Sequence, residues 1–235
     1  MTHRESAHAH HLRVQRTARY LTLGGTQEAA ELWFVLHGYG QLANDFIKPF
    51  AHVASERRLV AAPEALNRFY LVSPGSAPAR DRPVGATWMT REDRDSEIAD
   101  YVEYLDAVYD DVVTRHGAAS ARVWVLGFSQ GAATAARWVE HGRVPAARLV
   151  CWGGLLPPES DLSAGVHAFR GVPLTFVVGE HDQFATPTLV SEQRGRLDAA
   201  GVPYTFQTFD GGHALSRRAL SVLVGEDVSR VGADR

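Results

Sequence analysis

Ser129 stands in the run Gly127-Phe128-Ser129-Gln130-Gly131. The apolar segment Val123-Trp124-Val125-Leu126 leads into this run, and Ala132–Val139, which reads as a helix, follows it. A serine hydroxyl is a poor nucleophile until a base takes its proton. A serine on a tight strand-to-helix turn is held in a strained conformation that lifts its hydroxyl clear of the sheet. The flanking glycines are required because a Cβ there would strike the neighbouring strand or helix. A small-residue surface turn would give the same letters, so a nucleophile at Ser129 also needs a base, an acid and a second oxyanion donor elsewhere in the chain.

The base and the acid lie downstream. The run Leu174–Val178 ends in Gly179-Glu180-His181-Asp182, and Tyr204–Phe209 ends in Asp210-Gly211-Gly212-His213. Glu180 and Asp210 are rival acids and His181 a rival base. Asp182 and His213 are preferred because they complete the order Ser…Asp…His, each at the carboxyl end of an expected strand. His213 would take the serine proton and pass it to the leaving alcohol or thiol. Asp182 would hold the imidazole in the right tautomer and stabilise its protonated form. The developing oxyanion needs fixed donors. One is expected from the backbone N–H of Gln130. The other is expected from Tyr39, in the loop His37-Gly38-Tyr39-Gly40 that follows the apolar run Leu32–His37.

The elements that must position these groups alternate between strand and helix. Strands are expected at Tyr20–Leu23, Leu32–His37, Leu59–Ala62, Val123–Leu126, Arg148–Trp152, Leu174–Val178 and Tyr204–Phe209. Helices are expected at Asn44–Glu56, from Asp93 or Asp95 to Gly117, and at Ala132–Glu140, Pro187–Ala200 and Ala214–Leu223. Within the second helix Ile98, Val102, Leu105, Tyr109 and Val112 form one apolar stripe. The stretch Asn67–Arg94, rich in proline and glycine, reads as irregular. The alternation predicts an α/β fold whose mostly parallel sheet is covered on both faces. In such sheets the ligand site lies at the carboxyl ends of the strands, where Ser129, Asp182 and His213 all fall.

Composition narrows the function. The expected organisation is a polar tail over residues 1–14 and a single domain over 15–235. In the tail, His3, His8, His10 and His11 read as frayed chain rather than as a metal site. Net charge is −3 with no long like-charge run, which argues against nucleic acid or an anionic membrane surface as partner. No apolar run is long enough to span a membrane, and the N-terminal residues lack the apolar core of a signal peptide. Cys151, the single cysteine, sits in an apolar strand and reads as a buried thiol. With no disulfide possible, a cytoplasmic location is expected. No metal site and no cofactor is expected.

Leu36-His37-Gly38-Tyr39-Gly40, Gly127-Phe128-Ser129-Gln130-Gly131, Gly153-Gly154-Leu155-Leu156-Pro157, Gly179-Glu180-His181-Asp182 and Gly212-His213 together resemble the phospholipase/carboxylesterase family of the α/β-hydrolases. This family includes acyl-protein thioesterases and bacterial carboxylesterases, and the resemblance runs from about Leu32 to about Leu223. It implies an α/β-hydrolase fold with little or no cap domain. It also implies cofactor-free hydrolysis of a small-molecule carboxylic ester or thioester, with Ser129, Asp182 and His213 as triad and Tyr39 and Gln130 at the oxyanion hole. Trp88, Leu155 and Phe184 are expected near the substrate, and a monomer or homodimer is expected. The chain departs from the family where Tyr39 replaces a common leucine. It departs again where Gln183-Phe184-Ala185-Thr186-Pro187 is one residue longer than usual; both sites border the substrate. The leading reading is a serine carboxylesterase for small to medium acyl esters. Its rivals are an acyl thioesterase, a lysophospholipase-like hydrolase and a non-catalytic ligand-binding protein. A dienelactone-type hydrolase would call for a cysteine nucleophile in place of Ser129.

Overall fold

The computed structural model describes residues 7–25, 29–72, 78–163, 169 and 171–225. Its centre is a 7-stranded sheet. The strands are β1 (Tyr20–Leu23), β2 (Glu31–Leu36), β3 (Arg58–Pro63), β6 (Arg122–Phe128), β7 (Ala146–Trp152), β8 (Leu174–Gly179) and β9 (Tyr204–Phe209). They lie in the order β1-β3-β2-β6-β7-β8-β9. Only the edge strand β1 is antiparallel to its neighbour; the other pairings are parallel.

Alternation along β2 shows how the sheet is buried on both faces. Leu32, Phe34 and Leu36 enter one core, with residues from α2 (Arg94–His116), α3 (Gln130–His141) and α4 (Pro187–Ala200). Trp33 and Val35 enter the other, with residues from α1 (Ala43–Phe46) and α5 (Arg217–Leu223). Strands sealed on both sides carry no solvent-facing polar stripe, which is why the interiors of β2 and β6 read as apolar runs and that of β8 is interrupted only by the buried Thr175. At the end of the sheet remote from the strand termini that carry chemistry, Trp33 stacks on Trp124 at 4.6 Å. Arg58 caps Trp33 at 5.3 Å and Arg148 caps Trp124 at 4.6 Å. This row crosses β3, β2, β6 and β7, and its ring stacking adds about 1 kcal/mol beyond burial toward holding the parallel register.

Two expected elements differ. The helix Asn44–Glu56 is divided into α1 and a 3-10 turn over Lys48–His52. Pro49 is the cause: its ring disfavours α backbone at Lys48 and it has no N–H to continue the ladder. Phe46, Ile47, Phe50 and Val53 are buried all the same, because in a 3-10 turn positions three apart share a side. The irregular stretch Asn67–Arg94 contains a hairpin, in which β4 (Asn67–Tyr70) pairs antiparallel with β5 (Val84–Thr87). Gly85 and Pro83 masked its strand character in the sequence.

The long helix α2 begins after Asp93, whose side chain makes no capping bond to the helix backbone; it meets Ser96 and His11 instead. Gly117 ends α2 at φ 60° with its N–H on the Val113 carbonyl. In the N-terminal stretch, residues 7–14 are exposed and without regular structure. There His11 meets Asp93 and Arg13 meets Glu103 along α2, while His3 lies outside the described residues. Among the described residues no helix is long and apolar enough to cross a membrane, and no group of three potential ligands could hold a metal ion.

Candidate active site

Ser129 occupies the turn between β6 and α3 with φ 54° and ψ −118°. This backbone region costs an L-residue about 1–3 kcal/mol, so the surroundings must impose it. Two close approaches do so. A Cβ at Gly127 would lie 2.0 Å from the Gly131 carbonyl oxygen, and a Cβ at Gly131 would lie 2.2 Å from the Leu36 oxygen and 2.6 Å from the His37 oxygen. The Ser129 N–H is anchored on the Trp152 carbonyl at 2.8 Å. Serine at a helix N-cap usually turns its hydroxyl back to the helix; here it makes no capping bond, so the hydroxyl is not committed to α3.

Two loops bring Asp182 and His213 together. Glu180 N–H donates to the Phe209 carbonyl and His181 N–H to that of Gly211, joining the turn after β8 to the turn after β9. The Trp152 indole N–H holds the Ala214 carbonyl at 2.9 Å. His213 Nδ1 is then 2.8 Å from Asp182 Oδ2. The other carboxylate oxygen accepts the N–H groups of Phe184 at 2.8 Å and Ala185 at 3.0 Å. Burial alone would raise the Asp182 carboxyl. The Ala185 N–H, the His213 ring and the Phe184 N–H outweigh that effect and hold it below its ordinary value, so it stays charged. The His213 ring lies between Phe128 at 4.8 Å and Phe184 at 4.6 Å. The Asp182 side chain is 1% exposed and that of His213 15%.

The turn Gly153–Gly154 is shared by all three residues. A Cβ at Gly153 would lie 3.1 Å from His213 Cε1 and 3.3 Å from Asp182 Oδ2, and one at Gly154 would lie 2.7 Å from the Ser129 carbonyl oxygen. The rivals point elsewhere: His181 and Asp210 face each other at 3.5 Å on the surface, and Glu180 meets Thr208.

The loop after β2 is fixed on either side of Tyr39. Gly38 N–H donates to the Gln41 side chain and Gly40 N–H to the Ala86 carbonyl, each at 2.8 Å. This leaves the Tyr39 N–H without an acceptor among the described residues. Gln130 supplies the first N–H of α3, where the helix dipole favours negative charge. The Tyr39 ring is 60% exposed and packs on Phe69. His37 is buried, with Nδ1 toward the Gly38 carbonyl and Nε2 accepting the Ala65 N–H. Burial keeps its pKa low despite the Gly38 bond and nearby Glu64, so the ring is a neutral support for the loop.

Of the residues expected near the substrate, Phe184 is exposed beside His213, and Leu155 is half-buried against the α2–α3–α4 core. Trp88 is different. It is 1% exposed and its indole N–H donates to the His37 carbonyl at 2.8 Å, which sets it behind the site with no free face for a substrate. The bond between Thr87 and the Gln130 side chain beside it had no local sign, because it joins segments remote in the chain. A cleft of about 510 Å³ adjoins His213, lined among others by Gly40, Leu42, Phe46, Phe128 and Leu215. That is a common size for a small-molecule site.

A sequence model of the phospholipase/carboxylesterase family matches residues 22–224. No curated protein matches the sequence. Among solved structures, acyl-protein thioesterase 2 of Zea mays superposes with a TM-score of 0.66 at 16% identity, covering 89% of this chain and 97% of that one. A carboxylesterase from Mesorhizobium loti gives 0.66 at 17% identity, covering 89% and 95%. The Bacillus cereus carboxylesterase gives 0.64 at 16% identity, covering 88% and 91%. The family match over nearly the whole domain and the mostly parallel sheet, with no large cap among the described residues, lead to one conclusion: this chain belongs to the phospholipase/carboxylesterase family of the α/β-hydrolases and is a hydrolase of the esterase type.

Proposed function

We propose that the protein is a serine carboxylesterase that cleaves small to medium carboxylic esters through an acyl-enzyme on Ser129. The observation that carries this reading is the Asp182–His213 pair at 2.8 Å, set on the same Gly153–Gly154 turn that borders the strained Ser129. His213 receives the Ser129 proton as the hydroxyl oxygen attacks the ester carbonyl. The backbone N–H groups of Tyr39 and Gln130 stabilise the oxyanion. His213 then gives the proton to the departing alcohol, and a water molecule activated by the same ring releases the acid. Asp182 remains ionised throughout and holds the Nδ1–H tautomer. The substrate occupies the cleft beside His213 that Leu42, Phe46, Phe128 and Leu215 line, and Phe184 and Leu155, which lie outside that lining, contact the part of the substrate beyond it. A cytoplasmic setting accords with the lone buried thiol of Cys151.

A thioester is the second reading. It calls for the same nucleophile and oxyanion hole with a better leaving group, and the Zea mays structure of similar fold is named as an acyl-protein thioesterase. Rates over p-nitrophenyl esters and acyl thioesters of graded chain length, with Ser129→Ala as the blank, distinguish the two. The ester reading predicts higher kcat/KM on short and medium esters than on the matching thioesters. The reverse ranking would replace it.

A further inference from the structure

The two oxyanion donors proposed above belong to segments far apart in sequence, and both are fixed by one piece of chain, the end of β5 and the residues after it. On one side, Gly40 N–H donates to the Ala86 carbonyl at 2.8 Å, and Ala86 N–H donates to the Gln41 carbonyl at 3.2 Å. Two residues on from Ala86, the Trp88 indole N–H holds the His37 carbonyl at 2.8 Å. On the other side, the Gln130 side chain grips the same segment. Its Oε1 accepts the Trp88 backbone N–H at 3.1 Å, and its Nε2 donates to Thr87 Oγ1 at 3.0 Å and to the Met89 carbonyl at 2.9 Å. The Thr87 hydroxyl proton goes to the Met89 carbonyl at 2.9 Å. Thr87 and Trp88 are buried at 4% and 1% exposure, so water does not compete for these bonds.

We infer that Thr87-Trp88-Met89 is a strut that sets the separation of the Tyr39 and Gln130 N–H groups, with the Trp88 indole and the Gln130 carboxamide as its two positioning side chains. The inference rests on the serine-esterase reading of the site. Neither side chain touches the reacting atoms. Each acts by holding a backbone donor where the oxyanion forms rather than where the ground-state carbonyl lies, and such geometry acts on kcat rather than on substrate affinity. The Gln130 amide suits this task because it must accept one bond and donate two. Glutamate cannot donate, and methionine, of similar shape, can do neither.

The test uses Trp88→Phe and Gln130→Met beside a matched control. Trp138 also buries an indole N–H, on Asp106 Oδ1 at 2.8 Å, in the core between α2 and α3. Trp138→Phe therefore removes an equivalent bond away from the site. Wild type, the three variants and Ser129→Ala are assayed on a short p-nitrophenyl ester, with Tm measured for each. Removing an oxyanion donor outright costs about 10²–10³ in kcat; a displaced donor should cost about 10- to 100-fold. We expect that fall in kcat for Trp88→Phe and Gln130→Met, with KM within about twofold. Trp138→Phe should lower Tm comparably and leave kcat near wild type. If Trp88→Phe and Gln130→Met keep wild-type kcat, or if Trp138→Phe loses as much kcat as they do, the strut is only a packing feature and the inference fails. If Ser129→Ala is as active as wild type, the esterase reading fails and the strut with it.

Discussion

Asp182 contacts His213 through one carboxylate oxygen and the backbone N–H groups of Phe184 and Ala185 through the other. The carboxylate is therefore locked at both ends, and the imidazole it faces has one tautomer available. Asp182→Asn would put an amide donor against Nδ1 and favour the opposite tautomer. We expect kcat to fall by about 10⁴ with the fold retained. Circular dichroism and Tm beside the esterase rate check this; a variant within tenfold of wild type would remove Asp182 from the mechanism.

Gly131 packs where the helix bearing the elbow meets the oxyanion loop. The added Cβ of Gly131→Ala would lie 2.2 Å from the Leu36 oxygen and 2.6 Å from the His37 oxygen. Backbone cannot yield as a side-chain tip can, so α3 and the loop after β2 must separate. A loss of about 1–3 kcal/mol of stability is expected, with a larger fall in activity than stability alone explains. Denaturant unfolding and the esterase rate on soluble protein measure the two.

Glu159 accepts Arg137 at 2.7 Å and also meets Arg94, tying the loop after β7 to α3 and to the start of α2. Partial burial works against its charge. The bonds from Arg137, from its own backbone N–H and from Arg94 prevail and bring its pKa from 4.5 to about 2. A depressed folded-state pKa gives stability that is complete above the unfolded value and is lost as pH falls through the folded one. The contribution of Glu159 is thus present above 4.5 and disappears toward about 2. Glu159→Gln should lower Tm at neutral pH and flatten the decline of Tm across that acid window. Curves for wild type and variant that run parallel would contradict this.

Cys151 is 1% exposed inside β7, and burial pushes its thiol up to about 12. The thiolate is the reactive form, so at about pH 8 the native protein should resist iodoacetamide and keep its esterase activity, while the unfolded chain is alkylated. Stoichiometric labelling of the native protein, followed by mass spectrometry, would contradict the burial.

The placement of Ser129, Asp182 and His213 at strand ends was legible because an apolar run announces each strand: Leu126 before the Ser129 turn, Val178 before Asp182 and Phe209 before His213. The helix α2 was likewise visible in its apolar stripe and in its closing residue Gly117. The break that Pro49 makes in the first helix was hidden by the apolar spacing, because Phe46, Ile47, Phe50 and Val53 satisfy an α-helix and a 3-10 turn alike. The β4–β5 hairpin was hidden by Pro83 and Gly85, and with it the place of Trp88. A tryptophan in a loop gives no local sign that its indole will reach a carbonyl at residue 37, since that contact exists only once the hairpin lies across the end of β2. For the same reason Gln130 was read only for its backbone N–H, and the packing of the Tyr39 ring on Phe69 was not foreseen.

The proposed mechanism stands on Ser129 as the nucleophile. A fluorophosphonate probe added to the purified protein tests it most directly, with the adduct located by peptide mass spectrometry and hydrolysis of a short p-nitrophenyl ester followed in parallel. One adduct is expected, on the peptide carrying Ser129, formed as esterase activity is lost. Ser129→Ala should neither take up the probe nor retain more than about 10⁻⁶ of wild-type kcat. An adduct on another residue, or a Ser129→Ala protein that hydrolyses the ester at the wild-type rate, would contradict it.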